Sequence, residues 1–340
     1  MRDRFVSLRQ FCFQTAAMAM AFLVAVFVGG CVGGRQTPLP DSTAVAEWKA
    51  VEFLTREVPA WSRENGCFSC HNNGDAARAL FAATRHGYRI PTAALADTTA
   101  WVRRSEQWSH NKGDPGFSDQ RLANLQFAAS LLAAYNAGFV KDREPLRVAA
   151  WLVAADQDAD GAWNIERQNP VGSPATWGTP LATSMGLRIL RAADMARHRT
   201  AILKAEEWLR QARPVNVPVA AALLLAASDD PKGSLVQHRL EGLSLIRRAQ
   251  TSDGGWGPYV DSPAESFDTA LVLLALMGLR DEAGVAEMIR RGRAFLVNEQ
   301  LSDGSWTATT RPSGNRSYAQ QMSTTGWATL ALLATRSKDP

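Results

Sequence analysis

Two cysteines and a histidine near residue 70 carry the most specific chemistry in the chain. Cys67, Cys70 and His71 form the pattern C-x-x-C-H. Thiols at this spacing can add to the two vinyl groups of one porphyrin, and the adjoining imidazole is then placed to ligate the iron. The pattern therefore predicts one covalent c-type haem, attached through Cys67 and Cys70, with His71 as the proximal ligand.

Other chemistry is open to the same three residues. Cys67 and Cys70 could form a short disulfide, which export would permit, or a redox-active pair, although no βαβ context accompanies them. Together with His71 they could bind zinc, but a fourth ligand is not evident nearby. A distal haem ligand would have to come from another part of the chain, and His110 is the histidine that we favour for it.

The N-terminus predicts export. Three arginines within the first ten residues precede an apolar run at 11–28, which is the pattern of a secretory signal. The small residues just before Cys31 resemble the lipobox of bacterial lipoproteins, and this resemblance implies cleavage before Cys31 and a lipid on its thiol. An ordinary signal peptide and an uncleaved anchor are the rival interpretations. We therefore expect a signal at 1–30 and a periplasmic or cell-surface protein that is lipid-anchored to a bacterial membrane.

Composition limits the classes of partner. The chain has 340 residues and a formal net charge of +4, half of which belongs to the predicted signal at 1–30. So small a charge does not indicate nucleic-acid binding. Residues 31–46 are rich in Gly, Pro, Ser and Thr, so we interpret them as a flexible tether between the membrane and the folded part.

The rest of the chain repeats a seven-residue motif, Q-x-x-D-G-x-W, three times. In each copy Asp-Gly supplies a tight turn, the Trp covers the turn, and the Gln can bond to nearby backbone. We therefore interpret the motifs as braces for turns and not as ligand contacts. Their residues are Gln157, Asp160, Gly161, Trp163, Gln250, Asp253, Gly254, Trp256, Gln300, Asp303, Gly304 and Trp306.

Each motif follows an amphipathic helical stretch and precedes a more apolar one. Self-similarity at this period is typical of stacked helical hairpins. We count about six hairpins, at 48–89, 95–139, 145–194, 199–228, 238–280 and 287–336. The haem motif then lies at the turn of the first hairpin.

The last repeat resembles a known family. Residues 291–306 look like the QW motif of squalene–hopene cyclases and their prenyltransferase-like relatives, and 266–270 and 323–328 resemble the starts of inner helices in that superfamily. The resemblance covers about 95–336, which we take as the squalene-cyclase-like repeat domain, preceded by a haem-motif segment and first hairpin at 47–94. It implies an all-α fold, an α/α toroid whose central cavity could bind an apolar or isoprenoid ligand.

The family's catalytic signatures are not found. No D-x-D-D motif occurs, and because no cysteine follows Cys70 the prenyltransferase zinc site cannot be built in the repeats. Our leading expectation is therefore an exported, haem c-bearing repeat protein with an electron-transfer or redox role and a redox protein partner. The alternatives are a disulfide-braced, non-enzymatic scaffold that binds a protein or glycan, and a divergent terpene or squalene cyclase-like enzyme.

Overall fold

The computed structural model describes residues 42–111, 119–165, 171–228, 235–308 and 317–336, together with positions 230, 233 and 311. The predicted signal at 1–30 and the predicted lipidation site Cys31 lie outside these residues. Residues 40–340 cluster as one compact unit. None of the helices in the described part has both the length and the apolar character needed to cross a membrane.

Helices account for the regular structure of the described residues. A π-helical segment, Cys70–Ala76, runs directly into the second α-helix, and two short 3₁₀ helices lie at Ser105–His110 and Met277–Leu279. The α-helices are α1 (Ser42–Asn65), α2 (Ala77–Arg85), α3 (Thr92–Val102), α4 (Gln120–Asn136), α5 (Glu144–Ala155), α6 (Thr179–Asp194), α7 (Arg199–Gln211), α8 (Val217–Ser228), α9 (Val236–Ala249), α10 (Ser266–Leu276), α11 (Val285–Glu299) and α12 (Tyr318–Ala334).

Apolar patterning separates these helices into two layers. The even-numbered helices are apolar around most of their circumference, as in α8, where nearly every residue is buried. The odd-numbered helices bury a single stripe, as in α7, where Ile202, Ala205 and Leu209 face inward. A helix that is apolar all round must be covered on every side. The even-numbered helices therefore form the inner layer and the odd-numbered helices the outer one.

The inner helices contact one another in sequence, and α12 returns to α2 and to the π-helical segment. On the outside, α1 packs against α11 and α12. Side-chain contacts join the first helix to the last repeat: among them, Gln300 donates to Ala46 O at 2.8 Å, and Arg293 pairs with Glu47 at 3.2 Å. The six predicted hairpins therefore close into an α/α toroid, as expected.

The three Q-x-x-D-G-x-W turns hold neighbouring outer helices together. Each Gln donates both to the Gly carbonyl of its own turn and to a carbonyl of the next outer helix, and each Trp donates to a carbonyl of the helix before it. Gly304 has a φ of +94°, and a Cβ there would lie 2.3 Å from Lys49 O on α1. Glycine is therefore required at this turn both by conformation and by space.

Two predicted boundaries differ from the structure. Helix α1 begins at Ser42, so residues 42–46, which the sequence analysis assigns to the tether, belong to the first hairpin. Ala46 is buried there against the core. Helix α3 crosses the predicted boundary between 47–94 and 95–336, so the haem-motif segment is part of the ring. The small residues of 42–46 suit a helix as well as a linker, which is why composition misplaced the boundary.

Candidate functional site

The π-helical segment brings a carboxylate to the centre of the ring. Ser69 caps it, since its hydroxyl accepts from His71 N at 3.2 Å. Two glycines let the neighbouring inner helices approach closely: a Cβ at Gly74 would lie 3.1 Å from Gln126 Cβ, and one at Gly326 would lie 2.9 Å from Asp75 O. Segments of π-helix are rare and frequently occur at functional sites. Here the segment places Asp75 within reach of side chains from α4 and α12.

Asp75 is completely buried and hydrogen-bonded on both oxygens. Its Oδ1 pairs with Arg78 Nη1 at 3.2 Å, a contact between two side chains that are almost entirely buried. Its Oδ2 accepts from Gln126 Nε2 at 2.9 Å, Ser323 Oγ at 2.9 Å and Trp177 Nε1 at 3.3 Å. The donors come from three different parts of the ring, so the carboxyl is fixed in one orientation.

Burial dominates the electrostatics of this carboxyl. It raises the pKa of Asp75 to about 6, although Arg78 and the three hydrogen bonds act in the opposite direction. Desolvation disfavours the charged form of a buried acid. A carboxyl whose pKa is close to the working pH can give up and take back a proton, which is the property of a general acid.

Two tryptophans surround the Asp75–Arg78 pair. The guanidinium of Arg78 lies over Trp327 at 4.5 Å and over Trp177 at 5.7 Å, and the two indoles pack edge to face at 5.8 Å. Trp177 is held at a φ of +62°. A bulky residue in the left-handed region is a strained position, and such strain concentrates at functional sites.

Arg78 also lines a cavity of about 310 Å³. Each of the six inner helices contributes to its walls, so it is the central cavity of the ring. Its apolar wall includes Leu132, Met185, Leu225, Leu274, Leu330 and Trp327. Its polar groups are Arg78 at depth and Arg85, His86, Asn136 and Arg188, which are exposed. No Asp or Glu is found among the described residues that line it.

His71 is linked to the Asp75 oxygen that does not contact Arg78, and the link runs through Ser323. Its Nδ1 is 3.0 Å from Ser323 Oγ, the hydroxyl that also donates to Asp75. Its Nε2 is 3.7 Å from Cys70 Sγ. Burial lowers the pKa of His71 to about 4, so the imidazole is neutral at physiological pH.

The structure places the other predicted site residues as follows. Cys67 is buried and Cys70 is partly exposed, and no disulfide joins them. His110 is exposed, and its Nδ1 lies 3.0 Å from Ser109 Oγ. Within the described part of the chain, no group of three or more His, Cys, Asp and Glu is arranged to hold a metal ion, so the zinc interpretation gains no support.

Sequence reasoning missed Asp75 and its partners. Clustered aspartates are the pattern that predicts a cyclase acid, whereas Asp75 is a single carboxylate just before the Ala-rich helix α2. The available signal was one Asp at the start of this Ala-rich stretch, four residues after His71. The partners Gln126, Trp177 and Ser323 are far apart in sequence, and only the ring brings them together.

Solved structures with the same fold include terpene cyclases. A protein from Actinoplanes aligns with a TM-score of 0.58 at 18% identity, over 86% of this chain and 99% of the other. The type II terpene cyclase MstE from Scytonema aligns with a TM-score of 0.57 at 13% identity, over 86% and 98%. A variant of MstE in complex with geranylgeranyl dihydroxybenzoate aligns with a TM-score of 0.60 at 13% identity, over 86% and 97%. These likenesses show that the chain shares its α/α toroid fold with these terpene cyclases.

Sequence comparison gives a local match. Human lanosterol synthase is 33% identical over 106 residues, which cover 29% of this chain and 14% of the synthase, and the mouse enzyme is 32% identical over the same length. This chain therefore matches only about a seventh of the length of these curated relatives. No family model matches the chain. The local match and the shared fold agree with the resemblance to squalene–hopene cyclases.

Proposed function

We propose that this protein is an enzyme of the terpene-cyclase type, which protonates an isoprenoid ligand in the central cavity with Asp75 as the acid. The observation that carries the proposal is the buried Asp75 carboxyl at the centre of the ring, with a pKa raised to about 6. The terpene cyclase MstE, which has the same fold, was solved with an isoprenoid ligand. Asp75 would then act as the catalytic acid in a chain that has no D-x-D-D motif.

The hydrogen bonds at Asp75 assign a position to the acidic proton. Three donors occupy Oδ2, so the proton of the neutral acid belongs on Oδ1. This is the oxygen next to Arg78, the residue that lines the cavity. Arg78 must turn aside for Oδ1 to face a ligand, and the stacked Trp327 ring offers its guanidinium an alternative contact.

The proton transfer then balances within the site. The O–H bond at Oδ1 breaks, and the proton forms a C–H bond with one carbon of a terminal alkene. The other alkene carbon becomes a carbocation, and Asp75 becomes a carboxylate that Arg78 stabilises by returning to it. The ring of Trp327, which lines the cavity, can stabilise positive charge at this end of it.

The mouth of the cavity favours a ligand with an anionic head group. Arg85 and Arg188 are exposed there, and Arg78 lies deeper, paired with Asp75. Arg85 lies in the last turn of α2, where a cation is favoured by the helix dipole alone. Arg188 lies six residues before the end of α6, outside that range. A head group between these arginines would direct the isoprenoid tail towards Asp75.

The cavity volume indicates a short tail. About 310 Å³ is near the lower end of small-molecule pockets, which span roughly 300–1,000 Å³. Farnesyl diphosphate is therefore the first probe, with geranylgeranyl diphosphate as the longer comparison and farnesol as the uncharged control. We expect the diphosphates to bind and farnesol to bind at least tenfold more weakly, a difference of about 1.4 kcal/mol.

The test is turnover by the full chain, with products identified by gas chromatography and mass spectrometry. Asp75→Asn should abolish cyclised product, and Asp97→Asn, at an exposed position on α3, should leave it unchanged. Circular dichroism and thermal melting establish whether the Asn variant folds, and Asp75→Glu provides a second acid at the same position. A folded Asp75→Asn protein with wild-type turnover would exclude Asp75 as the acid.

Ligand binding tests the role of Arg85 and Arg188 separately from that of Asp75. Arg85→Ala/Arg188→Ala should weaken farnesyl diphosphate binding about tenfold without changing farnesol binding, and Arg199→Ala on outer helix α7 is the matched control. Equal losses for both ligands would contradict the head-group assignment while leaving the role of Asp75 intact.

A further inference from the structure

The C-x-x-C-H motif lies at the rim of the ring, directly before the π-helical segment that carries Asp75. It is separated from the cavity side of the site, because Arg78 lies on one side of Asp75 and His71 on the other. The proposed acid chemistry uses neither Cys67 nor Cys70. These residues therefore call for an explanation of their own.

The backbone of the motif is fixed by residues outside it. Asn111 accepts from Phe68 N at 2.9 Å and donates to Phe68 O at 2.7 Å, and the Phe68 ring stacks on Trp101 with centroids 4.5 Å apart. Ser69 N donates to Asn73 Oδ1 at 3.0 Å. The two residues between the cysteines thus hold the loop in place.

The hydrogen bonds of His71 define which ring nitrogen is available. The hydroxyl proton of Ser323 goes to the Asp75 carboxylate, so Ser323 Oγ accepts from the Nδ1–H of His71 at 3.0 Å. The lone pair is then on Nε2, the nitrogen closer to Cys70 Sγ, at 3.7 Å. Histidines that ligate metals are oriented in this way, by a bond from the second nitrogen to a carboxylate or another acceptor.

We infer that Cys67 and Cys70 hold one haem covalently and that His71 Nε2 ligates its iron. Each thiol S–H adds across one vinyl group, so that a C–S bond forms, the hydrogen goes to the other vinyl carbon, and no group leaves. Bound there, haem would supply one-electron transfer. The hydrogen bonds from His71 through Ser323 to Asp75 would make the imidazole a stronger ligand and so favour the ferric state. This role goes beyond the proposed acid chemistry and does not depend on it.

The experiment expresses the full chain, with its leader, in a bacterium that carries a cytochrome c maturation system. We expect haem staining to stay with the denatured chain on an electrophoresis gel, and the reduced protein to show the sharp absorption bands of a c-type haem. Cys67→Ser/Cys70→Ser should lose the stain, with circular dichroism to establish that it folds. Mass spectrometry of the wild-type chain should show the added mass of one haem.

A separate variant tests the hydrogen bonds that connect His71 to Asp75 through Ser323. Ser323→Ala should keep the covalent haem and shift its midpoint potential upwards, since His71 then loses its acceptor. Ser244→Ala, at an exposed hydroxyl on outer helix α9 that accepts from Arg248, should leave the potential unchanged. A matured wild-type chain without bound haem overturns the inference, whether its Cys67 and Cys70 prove to be free thiols, a disulfide or ligands of zinc.

Discussion

Trp177 donates its indole N–H to Asp75 Oδ2 at 3.3 Å from a backbone held at a φ of +62°. The strained residue precedes α6, and its ring is buried between Arg78 and Trp327. A left-handed conformation costs a residue other than glycine roughly 1–2 kcal/mol. The fold therefore keeps Trp177 in an unfavourable backbone conformation at the position from which its N–H donates to Asp75.

Removing that donor should raise the pKa of Asp75 further. The bond from Trp177 favours the charged carboxylate, and Trp177→Phe keeps a ring in place while losing the N–H. A hydrogen bond to a charged group is worth about 1.5–3 kcal/mol, so we expect the pKa of Asp75 to rise by about one to two units. The measurement is the carboxyl resonance of Asp75 followed by NMR across pH. An unchanged or lower pKa would show that the indole does not stabilise the carboxylate.

The raised pKa of Asp75 also predicts a pH dependence of stability. Between the ordinary Asp pKa near 3.8 and the folded value of about 6, the folded state binds more protons at this site than the unfolded state. The contribution of Asp75 to the free energy of unfolding is thus largest below about pH 4. It falls by about 3 kcal/mol as the pH rises to about 6.

Comparison with a variant isolates this contribution. Asp75→Asn cannot titrate, so the free energy of unfolding of the wild type minus that of the variant should decline between about pH 4 and pH 6. Urea unfolding at intervals of pH measures it. His71, whose pKa is lowered to about 4, is present in both proteins, so its opposite slope is largely removed by the subtraction. A difference that rises with pH would mean that the fold favours the charged carboxyl.

The ring could be predicted from sequence because its signals are local. Each Q-x-x-D-G-x-W turn is complete within seven residues, and the alternation of amphipathic and apolar stretches gives the hairpins directly. The Asp75 site could not be predicted in this way. Its donors, Gln126, Trp177 and Ser323, are distributed over three inner helices or the loops before them, and the π-helical geometry that aims Asp75 inward has no sequence signature as specific as the turn motif.

Ring closure makes a further prediction at Gly304. Both Gly304 and Gly284 have positive φ, +94° and +78°, but a Cβ at Gly304 would lie 2.3 Å from Lys49 O while a Cβ at Gly284 would meet nothing within 4 Å. Gly284→Ala should therefore cost only the conformational term, roughly 1–2 kcal/mol. Gly304→Ala must also displace α1 and should cost clearly more.

Thermal and urea unfolding of the two variants tests this difference. We expect the midpoint of Gly304→Ala to lie well below that of Gly284→Ala, and limited proteolysis to cut the Gly304 variant first near the contact between α1 and the last turn. Equal losses in the two proteins would show that the contact between Gly304 and α1 contributes nothing to the closed ring.

Arg311 also joins separate parts of the ring, at the loops that precede the inner helices. Its guanidinium pairs with both oxygens of the buried Asp268, at 2.7 and 2.9 Å, and donates to Gly172 O at 2.7 Å. It thereby joins residues before α12 and α6 to the first turn of α10. Asp268 is completely buried, so its charge depends on this partner.

A double-mutant cycle should expose that dependence. Arg311→Met leaves a buried carboxylate unpaired and should cost about 3–5 kcal/mol. Adding Asp268→Asn removes the uncompensated charge, so the double variant should be more stable than Arg311→Met alone. The exposed pair Arg290–Glu287, whose side chains are 71% and 55% accessible, is the matched control and should show no measurable coupling. Additive losses at Arg311 and Asp268 would mean that water, and not the arginine, satisfies the carboxylate.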